Sequence, residues 1–297
     1  MARPPFKKTN SRPFSSKSGS ASRGSSGSFR PQQGPSSGKG ISQRAELSLR
    51  TFEKKNQRVI TGHHAIREFL EVRPRELVEF WVRQGWESNQ DLRSLVEIVR
   101  RRGVSVEEKP ESMLDKLSAS HQGAAVIARA LPEIEWSQFF SKESAVIVAL
   151  DGLEDPHNLG AILRTAWLMG VDALLVPQDR AVGLTPSAHK VASGGAEHVP
   201  VIEVPAMNQV FDQFKEHGFW IFGLAGESKK ELFELEIPEK IIWVVGAEDK
   251  GMRSTTSKAC DELISIPQVN SAASYNASVA TGMALAETLR QQKSKKK

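Results

Sequence analysis

The spacing of apolar positions divides the chain into an aperiodic stretch, a short alternating region and a longer one. Residues 1–44 show no apolar period and are rich in Ser, Gly, Pro, Arg and Lys. A segment of this kind buries too little apolar area to offset its ordering entropy, which predicts a disordered tail, extending to residue 56. From 57 to 131 two patterns alternate. HHAIREFLEV, DLRSLVEIVRRR and ESMLDKLS carry helical spacing, whereas LVEFWV, VSVEE and GAAVIARA read as strands. That predicts a small α/β domain. LPEIEWSQFF follows, with Pro132 and alternating acids, and reads as part of a linker over 132–142. From 143 to 290 the apolar runs are stronger: SAVIVALD, DALLVP, VPVIEV, FWIFGLAG, IIWVVG and ELISIP, with helical patterns between them. Continuous apolar strands separated by helices predict a parallel sheet covered on both faces, an α/β fold. The basic stretch QQKSKKK at 291–297 reads as a second tail.

Composition narrows the function classes. No apolar run approaches the roughly 18 residues that cross a bilayer, and no h-region marks a secretory signal. Cys260 is the single cysteine among 297 residues, which excludes an internal disulfide and a cysteine-based zinc site. It reads as a small apolar residue ahead of the ELISIP strand, and a reducing cytoplasm fits.

Charge changes the picture more. The formal net charge is +5, but residues 1–44 hold nine Lys or Arg and no acid, and the first carboxylate is Glu46. Residues 132–290 carry 12 basic against 22 acidic side chains, a net −10. The positive charge sits on the tails. For the N-terminal tail three roles compete: a solubilising segment, a nonspecific RNA-contacting arm, and an organelle transit peptide. Its Gly and Pro content opposes the amphipathic helix that the last would need.

Several familiar chemistries are missing. No GxGxxG or GxSxG follows a strand, and no GxxxxGK[ST] loop or HExxH helix is present. Three strand-to-helix blocks remain as candidates. In DGLEDPHNLGAILRTAWLMG (151–170), Leu159, Ile162, Leu163, Ala166 and Trp167 form one apolar stripe. Arg164 lies roughly 140° from the centre of that stripe, as a solvated surface arginine would. Asn158 is placed to cap the helix. Asp151, Glu154 and Asp155 suggest a charged loop beside that helix before they suggest a metal site. In VVGAEDKGM (244–252), Gly246 ends a β-branched run where the backbone turns or approaches something closely, and Glu248 sits in the loop. In ISIPQVNSAASYNASVATGMALAETL (264–289) small and amide side chains separate a strand from a helix. Ser274 or Asn276 can cap that helix, and the loop also suits a clamp around a flat ligand. Residue types and spacing alone lead to a ligand-binding parallel α/β domain.

Taken together, the three blocks resemble the signature motifs of the SpoU/TrmH family of RNA ribose 2′-O-methyltransferases, in the SPOUT superfamily. Asn158 and Arg164 match the first motif; Gly246, Ala247 and Glu248 match the second. Ser274, Tyr275 and Asn276 match the third, where the family usually has Ser-Leu-Asn. DPHNLGA, CDELISIP and SVATG are most similar to the branch that methylates guanosine in 23S rRNA; tRNA ribose methylation and a non-catalytic RNA-binding role are the alternatives. The resemblance implies a C-terminal parallel sheet tied in a deep trefoil knot, and a ribosomal-protein-L30e-like RNA-binding domain over 57–131. It also implies a homodimer with the active site near the subunit interface. S-adenosylmethionine is the implied methyl donor, without a metal, against Gly246, Ile266 and Tyr275. Arg164, Asn158, Glu248, Ser274 and Asn276 are the implied catalytic set. Departures from the family pattern are Tyr275, and Asp249 and Lys250 in a loop that is commonly richer in glycine.

Overall fold

The computed structural model describes residues 49, 51–52, 54–179, 183–270 and 273–295. The tail expected over 1–56 therefore lies, up to residue 48, outside the described residues. Its end does not behave as a tail. Leu49 and Phe52 pack on the small domain, with the Phe52 ring edge-on to Trp81 at 6.1 Å. An apolar side chain so close to an apolar sheet face gains by covering it.

The small domain runs β1 (Gln57–Thr61), α1 (His63–Val72), β2 (Leu77–Arg83), α2 (Gln90–Arg101), β3 (Val106–Lys109), α3 (Glu111–Leu114) and β4 (Ala124–Arg129). Its sheet has the order β1-β4-β2-β3, parallel only between β2 and β3. Helix α1 buries Ala65, Ile66, Phe69 and Leu70, and α2 buries Leu92, Leu95, Val96 and Val99, each set one helical stripe. Strand β1 has no counterpart in the sequence reading. Its segment QRVIT is half-buried at one end and buried only over its last three residues, too short for an alternation. The helix expected over ESMLDKLS is a single turn, because only Leu114 and Leu117 reach apolar neighbours.

The expected linker is packed structure. Trp136–Phe139 form a 3₁₀ turn, Phe139 is buried, and Phe140 meets Phe214 edge-on and stacks on His217 at 3.9 Å. Three aromatics in ten residues outweigh the acids around them.

The large domain comprises β5 (Ala145–Asp151), α4 (Pro156–Met169), β6 (Ala173–Pro177), α5 (Pro186–Ala192), α6 (Gly195–His198), β7 (Val201–Val204) and α7 (Met207–Glu216). Then come β8 (Trp220–Leu224), β9 (Lys240–Gly246), α8 (Ser254–Ala259), β10 (Glu262–Ile264) and α9 (Ala277–Lys295). The six strands are all parallel, in the order β10-β8-β9-β5-β6-β7. Every residue of β5 is buried. Val146, Val148 and Leu150 face α4 and α9, while Ala145, Ile147 and Ala149 face Phe211 and Phe214 of α7. Two-sided burial is why the strands read as unbroken apolar runs.

The C-terminal stretch is also not a free tail as far as Lys295. Helix α9 continues to that residue, and Gln291 spans Leu235 O (2.8 Å) and Ile237 N (2.9 Å). Lys295 Nζ donates to Ile237 O at 2.7 Å. These bonds satisfy backbone groups of a segment without a strand partner, which holds the helix end in place.

Candidate active site

The three sequence blocks meet at the carboxyl ends of the central strands, where open parallel sheets bind their ligands. Asp151 and Gly246 are register partners at the ends of β5 and β9, so the first two loops leave the sheet side by side. A Cβ on Gly246 would stand 2.2 Å from Gly251 C and 2.3 Å from Met252 N, so only glycine lets the loop fold back here. Ala247 and Gly251 close that loop by exchanging two backbone bonds of 3.1 and 2.8 Å. Gly251 supplies the positive φ of +63°. Glu248 is carried at the tip.

A buried carboxylate fixes the far side of the loop. Asp151, 1% exposed, accepts from Arg253 N and from Arg253 Nε, each at 2.7 Å. Both bonds are charge-assisted, and together they satisfy both carboxylate oxygens. Asp151 is thus part of an ion pair within the domain. Among the described residues no cluster of His, Cys, Asp or Glu is arranged to hold a metal ion.

Asn158 does not cap α4. Asp155 does, accepting from His157 N at 2.8 Å, with Pro156 in the first turn. Proline fits that turn because its missing N–H would be unpaired anyway, so the helix starts before Asn158. The Asn158 side chain, 6% exposed, is left to donate from Nδ2 to Glu248 Oε1 at 2.9 Å. Asn276 completes the cluster: its Nδ2 donates to Asn158 Oδ1 at 3.0 Å and also to Glu248 Oε1. Its Oδ1 accepts from Ser278 N at 2.9 Å, so Asn276 both caps α9 and joins the polar ring. One residue from each block contributes.

Beside this ring lies a cavity of about 690 Å³, lined by residues 224–227, 245–248, 250–252, 257, 264, 266, 268, 273–275, 277 and 280. Gly246, Ile266 and Tyr275 all line it, as do Glu248 and Ser274. The volume suits a nucleoside-sized ligand. Glu227, Glu248 and Lys250 are the charged residues of the described lining. The Tyr275 hydroxyl donates to Pro267 O at 3.1 Å, so the ring that replaces leucine braces the loop on which it sits.

Arg164 stands apart. It is exposed on α4, six residues beyond Asn158, which corresponds to about 9 Å along the axis and about 120° around it. Leu168, 66% exposed, lies one turn further along the same helix, and Val279, 47% exposed, lies on α9, which packs against α4. Sequence reasoning missed Arg253, whose partner lies 102 residues away. No spacing pattern joins two such positions. Cys260 has no place in this chemistry: burial pushes its thiol up to about 12, and it donates to Thr256 O.

Comparison with known proteins gives the arrangement its relatives. Residues 145–286 match the model of the SpoU rRNA methylase family, and residues 59–133 match that for RNA 2′-O ribose methyltransferase substrate binding. The 23S rRNA (guanosine-2′-O-)-methyltransferase RlmB of Shewanella oneidensis is 37% identical over 246 residues, 81% of this chain and 100% of the relative. That of Escherichia coli K12 is 39% identical over 241 residues, 78% and 98% of the two chains. The SpoU methyltransferase AviRb from Streptomyces viridochromogenes, solved with AdoMet, shares the fold. It has a TM-score of 0.73 at 21% identity, covering 85% of this chain and 97% of that one. A solved RNA 2′-O ribose methyltransferase superposes with a TM-score of 0.69 at 26% identity, over 84% and 96%. The chain belongs to the SpoU rRNA methylase family.

Proposed function

We propose that this protein uses S-adenosylmethionine to methylate the ribose 2′-hydroxyl of a guanosine in 23S rRNA. The observation that carries the reading is the ring of Asn158, Glu248 and Asn276 at the edge of the cavity. The relatives that span most of the chain at 37–39% identity act on that RNA by name.

The cavity fits the cofactor. It offers strand-end backbone for a heterocycle, apolar Ile264 and Ile266, and carboxylates at Glu227 and Glu248 where a ligand carries positive charge. S-adenosylmethionine supplies an activated methyl group. Gly246, Ile266 and Tyr275 form the cofactor wall, and Gly246 serves by letting the 247–251 loop fold back against it. Asn158, Asn276 and Ser274 orient the nucleotide, and Glu248 fixes both amides. Arg164 stabilises the charge that develops on the ribose oxygen or holds a neighbouring phosphate; a guanidinium stays protonated and is no general base.

Arg164 reaches the site in a homodimer joined through the outer face of α4 and α9. The exposed Leu168 and Val279 support that face. We also infer a trefoil knot in which α9 passes behind the 225–239 segment. This rests on the parallel pairing of Ser265 with Glu231 and the Gln291 bonds to 235–237. Residues 57–131 form an L30e-like RNA-binding domain and 143–290 the methyltransferase domain, acting in the cytoplasm where rRNA is processed. Among the described residues no helix is long and apolar enough to cross a membrane.

Incubation with labelled S-adenosylmethionine and separated rRNA and tRNA, followed by mapping of the product, tests the reading. Label on a single guanosine ribose of 23S rRNA is expected. Label confined to tRNA would redirect the substrate, and no label in either RNA would overturn the activity.

A further inference from the structure

Beside the buried Thr61–Pro186 hydrogen bond, the two domains meet through a buried charge cluster. Glu197 of α6 has a side chain only 1% exposed, and it is gripped from the small domain. Arg58 of β1 donates from Nη1 to Oε1 at 2.5 Å and from Nη2 to Oε2 at 2.8 Å, a bidentate fork. Arg73 lies 3.5 Å from Oε2 by its Nε and donates to the Glu197 carbonyl from Nη2. Arg58 is itself braced by Arg129 O at 3.1 Å and by Glu76.

The same short segment rests on the helix that carries Arg164. A Cβ on Gly195 would stand 2.6 Å from Leu163 O and 3.0 Å from Arg164 N, so α6 lies directly against that backbone. A Cβ on Gly194 would stand 2.2 Å from Glu68 Cγ of the small domain. His198 joins both sides: it bonds Glu68 at 3.0 Å and stacks on Trp167 of α4 at 4.3 Å. The segment 194–198 thus touches the small domain on one side and α4 on the other.

Burying an ion pair gains little stability over an apolar contact of equal volume, because both charges lose their hydration. What a fork supplies instead is direction, since two parallel bonds admit one orientation. We propose that the Arg58–Glu197 fork is a specificity determinant that holds the small domain in one orientation against α4, and so selects which ribose of a bound RNA reaches the methyl-transfer site. This rests on the reading that the chain methylates RNA. Arg58 and Glu197 are positioning residues, since neither touches the reacting atoms. A displacement of about 1 Å between the RNA contact and the reacting groups is enough to change the rate by roughly 100-fold.

The test replaces the pair by apolar residues, Arg58→Met with Glu197→Leu, in the full chain. Four quantities are measured: melting temperature, S-adenosylmethionine affinity by calorimetry, kcat/KM on 23S rRNA, and the methylated position. The expected result is cofactor affinity within about twofold of wild type, with kcat/KM at the target down roughly 10–100-fold and methyl groups spread to neighbouring riboses. A double variant that marks the same single nucleotide with unchanged kcat/KM would overturn the proposal. Should that variant fail to fold, Arg58→Lys keeps the charge and loses the fork. It should lower selectivity in the same direction, and unchanged selectivity would equally overturn the idea. Wild-type protein that binds cofactor but methylates no RNA would instead refute the proposed function.

Discussion

Arg164 and Arg253 are both exposed arginines, yet Arg253 is held by a buried carboxylate and Arg164 by none among the described residues. Arg164 makes no ion pair among the described residues, which leaves its guanidinium free for the role proposed for it. Its replacement by alanine is expected to lower kcat about 10²–10³-fold while leaving cofactor affinity intact, as removal of one preorganised charge partner does; single-turnover assays with saturating RNA check this. Arg253 holds Asp151 and, through it, the loop bearing Glu248. Arg253→Ala keeps the backbone bond and loses the side-chain one. It should weaken cofactor binding roughly tenfold, the equivalent of one charge-assisted bond, measured by calorimetry.

His189 makes stability depend on pH. Its side chain is 1% exposed, and burial, followed by the nearby Arg58, lowers its pKa to about 3. The same imidazole in the unfolded chain titrates near 6.5, so on acidification the unfolded state binds a proton that the folded state refuses. The contribution is complete above about pH 6.5. It is lost as pH falls from there toward 3, at up to ~1.4 kcal/mol per pH unit. Urea unfolding between pH 7 and 4 should show a shallower slope for His189→Gln than for wild type. At this scale the sequence was partly legible. Gly246, Ile266 and Tyr275, singled out in the sequence as a cofactor wall, lie on one cavity with Glu248 and Ser274, which were singled out as catalytic. Asn158 was misplaced as a cap, because Asp155 and Pro156 start the helix earlier, and that same displacement frees its amide for Glu248.

Elements were legible where burial is two-sided or periodic. All six strands of the large sheet stand where continuous apolar runs were found, with ELISIP shortened to Glu262–Ile264. Strand β1 escaped notice because its partner β4 supplies the pairing that its own five residues do not advertise. The aromatic turn at 136–139 was hidden by its acids. Helix α9 extends past its apolar pattern because Gln291 and Lys295 bond the carbonyls and amide of 235–237. Those tertiary bonds leave no trace in hydropathy. Truncation after Arg290 removes three of them and is expected to destabilise the large domain by roughly 2–3 kcal/mol, seen as a lower midpoint in urea.

For the whole molecule, charge separates from chemistry. The region 132–290 carries a net −10, while the nine cations of residues 1–44 and the lysines at 293–297 lie outside it. An acidic catalytic region repels phosphate, so RNA affinity should lean on the basic stretches and on the small domain. Deleting residues 1–44 is expected to weaken RNA binding and to flatten its dependence on salt, because fewer counterions are released. Cofactor affinity should not change. Fluorescence anisotropy with an rRNA fragment across a salt series decides it, and an unaltered slope would show that the segment does not contact RNA.

The cavity draws its lining from residues between 224 and 280, and α9 closes it from behind. During synthesis the small domain and most of the parallel sheet leave the ribosome before any part of that lining does. No intermediate of translation can therefore hold the complete cavity, however well its earlier portion has folded. On the proposed reading, the chain gains its pocket for the methyl donor only once its last helix has been made.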